Sequence, residues 1–180
     1  METAALRPLE ESDIPLLARW LSDEMVLEYY EGRNNPFDEQ AVREKFLGAD
    51  PPGMQRWILM ELSQPVGYLQ TYPLSREECR EELDWVPKTE SVYAMDLFIG
   101  LAAKWNQGLG RRFVTLARDY LTGVLGAGWV VLDPRTENIR AIRCYEHCGF
   151  ERRKLLPRHE LHEGALRDCW LMVYQARKSK

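Results

Sequence analysis

The sequence lacks any segment that would anchor it in a membrane or direct it out of the cell. No apolar run approaches the roughly 20 residues that span a bilayer. The first residues, Met-Glu-Thr-Ala-Ala, form neither the basic nor the apolar region of a signal peptide. These absences predict a soluble, cytoplasmic protein without a membrane partner.

Cysteine is scarce. The four cysteines, Cys79, Cys144, Cys148 and Cys169, are not spaced as a disulfide framework. Cys144 and Cys148 share one predicted helix with His147, but a metal site would need a second pair of ligands, which the sequence does not offer. We therefore expect reduced thiols and no bound metal.

Positive charge is also in short supply. The chain has 24 Lys and Arg against 28 Asp and Glu, which gives a net charge of −4 and a pI near 5.5. No window combines clustered Lys and Arg with interleaved aromatics, so a nucleic-acid surface is excluded and cationic partners are favoured. The 180 residues contain no repeat or linker, which predicts a single domain over residues 1–180.

Two common phosphate-binding motifs are missing as well. A P-loop requires G-x-x-x-x-G-K-[ST], which occurs nowhere in the chain. A dinucleotide fingerprint requires a small residue three positions after Gly110, where Phe113 stands. Both motifs are therefore excluded.

What is present is a strand, a glycine-bearing turn and an amphipathic helix. Residues 92–101 alternate between two largely apolar sets, which predicts a strand buried on both faces. The turn Trp105-Asn106-Gln107-Gly108-Leu109-Gly110 follows, and a helix begins at Leu109. Helix N-termini present unpaired N–H groups, and two glycines allow a ligand to approach, so this turn is suited to phosphate oxygens.

Asp96 is the unusual residue of this strand. A carboxylate among apolar neighbours is costly unless it has a partner or a chemical role. It is the candidate general base, with a purely structural, internally paired acid as the alternative.

The remaining elements follow from periodicity and from turn residues. Further strands are predicted at residues 4–9, 56–62, 66–72, 129–132, 151–156 and 166–175. Helices are predicted after a Ser12 cap, at residues 25–30, from an Asp38 cap to Leu47, and at residues 137–148 with Gly149 closing the last one.

Two acidic segments with aromatic residues are candidate sites for a cation. Glu28 precedes Tyr29 and Tyr30, which together could line a site for a polyamine or an amino sugar, or could simply be packing beside a solvated acid. The second segment, residues 75–90, lies directly before the central strand and could instead be a solvated face. Its acids and its tryptophan are Glu77, Glu78, Glu81, Glu82, Asp84, Glu90 and Trp85.

The helix at 137–148 carries a second pattern, Asn138-x-x-Ala141-x-x-x-Tyr145-x-x-x-Gly149-Phe150. Ala141 and Tyr145 share a face, so that a small residue leaves room beside a phenol. Tyr145 is a candidate general acid, with a packed core phenol as the alternative.

The glycine turn resembles the R/Q-x-x-G-x-G/A turn of the GNAT N-acetyltransferases, whose amides hold the pyrophosphate of acetyl-CoA. Trp105 stands where Arg or Gln is usual. The Asn138 pattern is similar to the second acetyl-CoA segment of that family. The resemblance implies an α/β (α+β) GNAT fold, with a mixed, mostly antiparallel sheet of about six or seven strands flanked by helices. It also implies acetyl-CoA as co-substrate and no metal.

The resemblance also implies site residues. Asn138 would hold the pantetheine arm or a neighbouring loop, and Tyr145 would protonate the departing thiolate. The full set expected at the cofactor is Leu97, Phe98, Ile99, Trp105, Asn106, Gln107, Gly108, Leu109, Gly110, Arg111, Asn138, Ala141 and Tyr145.

Within the family, the chain looks most like the aminoglycoside 6′-N-acetyltransferases that confer antibiotic resistance. Their run N-L-R-A-I-R-C-Y-E-K-A-G-F-E-R resembles residues 138–152, and they too carry an aspartate twelve residues before the first turn glycine, as Asp96 does here. They share an acid-aromatic pair, a tryptophan-bearing acidic loop and Asp133-Pro134. The substrate-binding residues expected from this likeness are Glu28, Tyr29, Tyr30, Tyr72, Asp84, Trp85, Asp96 and Asp133.

The implied reaction is acetylation of a primary amine on a small cationic molecule by a monomer or homodimer. Since the amine is mostly protonated at pH 7, Asp96 would accept its proton directly or through water. The alternatives are an acyltransferase of siderophore hydroxylamines or of polyamines, and a non-catalytic acyl-CoA-binding regulatory module.

Overall fold

The computed structural model describes residues 4–75, 77 and 83–176, which form one seven-stranded sheet with helices packed against it. The strands are β1 Ala4–Pro8, β2 Gln55–Glu61, β3 Gln64–Pro73, β4 Val92–Ile99, β5 Trp129–Leu132, β6 Glu151–His162 and β7 Ala165–Gln175. Their spatial order is β1-β2-β3-β4-β5-β7-β6. Only β4 and β5 pair in parallel, so the expected mixed, mostly antiparallel sheet is confirmed.

The helices are α1 Ile14–Trp20, α2 Glu24–Leu27, α3 Glu39–Phe46, α4 Leu109–Gly123 and α5 Ile139–His147. Short 3₁₀ turns lie at Glu11–Asp13 and Ala102–Lys104. The predicted Asp38 cap is confirmed, because its carboxylate accepts the Ala41 N–H at 2.8 Å. Among the described residues, no helix is both long and apolar enough to cross a membrane.

Alternation along β4 divides the core between the two faces of the sheet. Met95 faces the cluster built by α4, in which Phe113, Val114 and Ala117 are buried. Phe98 belongs to the cluster formed with α1 and α3 on the other face, and Ala94 belongs to a third cluster on that same face. Asp96 lies between Ala94 and Phe98, so its carboxylate projects between two apolar clusters.

Two helix predictions near the N-terminus need correction. Ser12 does not cap α1, because it lies inside the 3₁₀ turn and Asp13 precedes the helix instead. The Asp13 carboxylate pairs with Arg7 at 2.6 Å and accepts the Glu10 N–H at 2.9 Å, and these bonds stabilise the tighter turn. The helix predicted at 25–30 ends at Leu27, because the Gly32 N–H closes on the Leu27 carbonyl at 2.9 Å.

The strand predicted at 151–156 is longer than expected and continues as β6 to His162. Pro157 lies inside it, and proline removes one ladder donor. The β6–β7 register shifts between Leu156 and Glu160, so the proline falls in an irregular stretch of an edge strand. The longer hairpin brings Glu160 and Leu161 to the same side of the molecule as the end of β4.

Candidate active site

A cavity of about 1090 Å³ opens at the carboxyl end of β4. One side of it, the turn side, is lined by residues of the glycine turn and of α5: Gly108, Gly110, Arg111, Asn138, Ala141 and Tyr145. The other side, the acid side, is lined by four carboxylates: Glu31, Asp96, Asp133 and Glu160. The glycine turn and the Asn138 pattern therefore line the same cavity, together with four carboxylates.

The cavity exists because two parallel strands separate. Paired residues of β4 and β5 stop at Ala94 and Val131, whereas β4 continues to Ile99 and β5 ends at Leu132. Beyond this point the edge of β4 that faced β5 borders the cavity through Leu97, Phe98 and Ile99. Backbone groups along such an edge are available to a ligand.

The glycine turn has the geometry of an anion site. Gly108 adopts φ 77°, a left-handed conformation, and forms the N-cap of the 15-residue helix α4. A Cβ atom built on Gly108 would meet no protein atom within 4 Å, so the space beside it is open. The first-turn N–H groups of α4 lie next to this open space, and they attract negative charge.

This turn gives a test with a matched control. Gly108→Ala places a methyl group where a phosphate would approach, so we expect the dissociation constant for acetyl-CoA, measured by calorimetry, to rise at least about tenfold, or about 1.4 kcal/mol. Gly126 has φ 68° and an equally open Cβ position, but lies outside the cavity.

Gly126→Ala should therefore cost similar stability through its left-handed backbone while leaving acetyl-CoA affinity unchanged. Equal affinities in Gly108→Ala and Gly126→Ala would rule out the turn as the phosphate site.

The helix α5 supplies the rest of the turn side. The Asn138 side chain caps the helix by accepting the Ala141 N–H at 3.2 Å. Tyr145 lies two turns further on, and its hydroxyl has no hydrogen-bond partner among the described residues. Burial raises the pKa of Tyr145 well above its usual range, so the phenol keeps its proton. The phenol can therefore donate a proton at neutral pH, but its raised pKa makes it a weaker acid than an ordinary tyrosine.

Asp96 on the acid side is held by a chain of hydrogen bonds from β3 and β2. Gln70 Nε2 donates to Asp96 Oδ2 at 2.7 Å. The Gln70 Oε1 atom accepts from Arg56 Nη1 at 2.8 Å and from the Tyr68 hydroxyl at 3.0 Å. Because both donors use the amide oxygen, the amide nitrogen must face Asp96.

The pKa of the Asp96 carboxyl group is raised towards neutral pH. Burial, followed by the charge of Asp133, raises the pKa of Asp96 from 3.8 to about 6, although hydrogen bonds from Gln70 and Tyr72 oppose the shift. A carboxylate of this kind is ionised at neutral pH and is a better proton acceptor than an ordinary aspartate.

The other three carboxylates of the acid side each have a basic partner. Glu31 pairs with Lys45 at 2.5 Å and Asp133 contacts His159 at 3.0 Å. Glu160 pairs with Arg135 at 2.9 Å. Two of these basic partners, Lys45 and Arg135, line the same cavity, so they offset part of the negative charge of the acid side. The cavity is also lined by three tyrosines, Tyr29, Tyr30 and Tyr72.

Sequence reasoning did not assign several polar residues of this cavity to the site, among them Glu31, Gln70 and Glu160. Gln70 had a detectable signal, since period-2 alternation in β3 places it on the same face as Tyr72. Glu31 stands three residues after Glu28, and the early end of α2 brings it to the cavity. Nothing local marks Glu160.

Several predicted site residues lie elsewhere. Glu28 is not among the lining residues, and its carbonyl accepts from Arg135 Nη2 at 2.6 Å. Gln107 and Leu109 do not line the cavity either, because Gln107 Nε2 donates to the Ala103 carbonyl at 2.7 Å and Leu109 is buried in the core.

The acidic segment before β4 also lies away from the cavity where it can be described. Asp84 is exposed, and Trp85 packs edge to face on Trp129 with ring centroids 4.8 Å apart. The Trp85 ring also lies 4.6 Å from the Arg153 guanidinium. Three acids of this segment, Glu78, Glu81 and Glu82, lie outside the described residues.

The described cysteines, Cys144, Cys148 and Cys169, are free thiols, and Cys79 lies outside the described residues. In the described ranges, no group of three or more His, Cys, Asp or Glu side chains is placed to hold a metal ion. Cys144 borders the cavity, and its sulfur lies 3.3 Å from the position of a Cβ built on Gly110. Gly110 therefore allows α4 and α5 to pack closely.

Solved structures with the same fold include several acetyltransferases. Aminoglycoside acetyltransferase AAC(6')-Ib in complex with coenzyme A and kanamycin superimposes with a TM-score of 0.73 at 23% identity, over 96% of this chain and 94% of that one. Spermidine N-acetyltransferase from Vibrio cholerae in complex with CoA and spermine gives a TM-score of 0.76 at 17% identity, over 97% and 96% of the two chains.

Sequence comparison points the same way. The chain is 28% identical over 154 residues to the aminoglycoside N(6')-acetyltransferase type 1 of Klebsiella pneumoniae, which covers 84% of this chain and 75% of that protein. The family model described as an acetyltransferase (GNAT) domain matches residues 10–157. The glycine turn and the helix that begins after Asn138 line one cavity beside the separated strands β4 and β5. Because the family model covers more than half of the sequence, the chain belongs to the GNAT acetyltransferases.

Proposed function

We propose that the protein transfers the acetyl group of acetyl-CoA to a primary amine of a small polycationic molecule, most specifically the 6′-amine of an aminoglycoside. The observation that carries this proposal is the position of Asp96. Its carboxylate, with a pKa raised to about 6, lies in one cavity with the anion-binding turn and with three further carboxylates. One cavity would thus combine a base, a phosphate site and a cation site.

The turn side would hold acetyl-CoA, which supplies an activated acetyl thioester. The α4 N-terminus beside Gly108 is suited to its pyrophosphate. The exposed edge of β4, at Leu97, Phe98 and Ile99, is suited to an extended arm with amide groups, because it offers backbone hydrogen-bonding groups beyond the β4–β5 pairing.

The acid side would hold the acceptor. Glu31, Asp133 and Glu160 would bind ammonium groups of the acceptor in exchange for part of their present pairing with basic side chains. Tyr29 and Tyr30 offer ring surface. Asp96 would remove a proton from the reacting amine, and the Tyr145 hydroxyl would donate one to the departing sulfur. Each step uses a group in the protonation state that it has at neutral pH.

The relatives support this choice of substrate class. The protein from Klebsiella pneumoniae is named for the aminoglycoside 6′ position, at 28% identity. A polyamine is the second candidate, favoured by several carboxylates in one cavity that a linear polycation could contact together. A siderophore hydroxylamine fits less well, because its reacting nitrogen is mostly unprotonated at pH 7 and has less need of a base such as Asp96.

An acceptor screen tests the proposal. Purified protein and acetyl-CoA are incubated with kanamycin, its 6′-deamino analogue, spermidine, a lysine peptide and a hydroxylamine, and the released thiol is measured. We expect release with kanamycin and none with the 6′-deamino analogue. Thiol release with spermidine alone would show that the acceptor is a polyamine and not an aminoglycoside. No release with any acceptor, while acetyl-CoA still binds, would favour a non-catalytic acyl-CoA-binding module.

A further inference from the structure

Three side chains from distant parts of the chain stack against one another at the cavity. The guanidinium carbon of Arg140 lies 3.8 Å from the ring centroid of Trp105 and 4.4 Å from that of Tyr29. The two rings meet edge to face with centroids 5.8 Å apart. All three residues line the cavity. We call Tyr29, Trp105 and Arg140 the Arg140 stack.

Two members of the stack are fixed to the turn side. The Trp105 indole N–H donates to the carbonyl of Ile99, the last residue of β4, at 2.9 Å. Arg140 lies in the first turn of α5, two residues after the Asn138 cap. This anchoring also explains the departure from the usual Arg or Gln at the first position of the turn, because Trp105 joins the turn to β4 and supplies a ring for Arg140.

The third member, Tyr29, comes from a less regular segment. It follows the four-residue helix α2, and the chain then turns through Glu31 and Gly32 with positive φ angles of 71° and 95°. Bonds from the segment between β5 and α5 and from the β6–β7 turn hold the two ends of this segment. Arg135 donates to the Glu28 carbonyl, and Arg33 pairs with Glu163 at 2.6 Å.

The Arg140 guanidinium has no hydrogen bond or ion pair with any described residue. It is half-buried, and this burial lowers its pKa. A cation that has given up water without gaining a carboxylate is stabilised by the faces of aromatic rings. Within the described residues, the Arg140 guanidinium therefore contacts the rings of Tyr29 and Trp105, and these contacts orient the two rings.

We propose that Arg140 is a positioning residue that holds Tyr29 in place as a wall of the acceptor site. This inference rests on the proposed function, because it assumes a cationic acceptor on the acid side. Without the Arg140 guanidinium, the Tyr29 ring has more rotamer freedom, and binding of the acceptor must restrict that freedom again. The stack thus couples acceptor affinity to a residue on the acetyl-CoA helix α5.

The test compares Arg140→Met, which keeps an apolar stem without the charge, with Arg140→Lys, which keeps a cation that can contact the rings. The acceptor is the amine that the parent acetylates fastest. We expect Arg140→Met to raise the acceptor KM about fivefold with kcat and the acetyl-CoA dissociation constant unchanged. Arg140→Lys should restore part of the acceptor affinity.

Arg19→Met is the charge control, since Arg19 is exposed on α1, outside the cavity. It should leave the acceptor KM, kcat and the acetyl-CoA dissociation constant unchanged.

A double mutant tests whether Arg140 and Tyr29 act through the same contact. Tyr29→Leu should raise KM in the parent and should have little further effect in Arg140→Met, because both changes remove the same contact.

The outcomes separate the two proposals. An active parent whose acceptor KM is unchanged in Arg140→Met overturns the positioning role and leaves the acetyltransferase proposal intact. A weaker acetyl-CoA affinity with normal acceptor KM also overturns it and makes Arg140 a cofactor contact. A parent that acetylates no amine overturns the proposed function, and the positioning role falls with it.

Discussion

Asp96→Asn is expected to lower kcat by about 10²-fold or more while acetyl-CoA affinity stays at the parent value. The substitution removes the basic carboxylate with almost no change in volume. Gln70 Nε2, which donates to Asp96 Oδ2 at 2.7 Å, can donate to the asparagine carbonyl instead. Steady-state kinetics at pH 7 and calorimetry with acetyl-CoA measure the two quantities.

The stability of this variant separates a catalytic from a structural role. Folding raises the pKa of Asp96 from 3.8 to about 6, so the folded state favours the neutral acid. Such a group makes the protein less stable as pH rises between these values, and its charge destabilises the fold at pH 7. Asp96→Asn should therefore keep or raise Tm at pH 7. A lower Tm with normal kinetics would show a structural acid.

Asp133→Asn is the matched control for charge. It removes another carboxylate of the acid side, one that is exposed and contacts His159. If Asp133 only attracts the cation, KM for the acceptor should rise. Because loss of the Asp133 charge also lowers the pKa of Asp96, kcat should change only slightly. Equal losses of kcat in Asp96→Asn and Asp133→Asn would mean that the cavity needs negative charge but no particular base.

Tyr145→Phe is expected to have the other large effect, a fall in kcat of about 10²–10⁴-fold, and less if water can donate instead. Burial keeps the Tyr145 phenol protonated, and the hydroxyl borders the cavity without a described partner. Phenylalanine preserves the ring contact with Phe150, whose centroid is 6.2 Å away. The fold and acetyl-CoA affinity should therefore remain unchanged.

Tyr174→Phe is the control for this loss. Tyr174 packs against the same Phe150 ring at 5.6 Å but does not line the cavity. It should turn over at the parent rate. A parental kcat in Tyr145→Phe would assign the departing thiolate's proton to water and would leave Tyr145 as a packed core phenol.

The sequence was sufficient for the features that depend on local pattern. The strand before Gly108, the glycine turn with the helix that follows it, and the helix that ends before Gly149 each follow from residues close together in the chain. Asp96 was identifiable because a charge in an apolar strand is visible without any structure. These features account for the turn side and for the position of the Asp96 carboxylate in β4.

The acid side depends on contacts between distant segments, which local pattern does not encode. Gln70 reaches Asp96 across 26 residues through the β3–β4 register. Glu160 reaches the cavity because β6 continues to His162, beyond the predicted strand at 151–156. Trp85 was expected beside a substrate, but its apolar ring packs with Trp129.

The pH dependence of kcat/KM, measured in parallel for the parent and Asp96→Asn with one amine, tests the account most directly. A base with a pKa of about 6 is inactive when protonated, so the parent value should rise with pH through about 6. Asp96→Asn should lack this rise and recover only at high pH, where the amine is already neutral. Identical profiles for the two proteins, with equal rates at pH 7, would contradict Asp96 as the base.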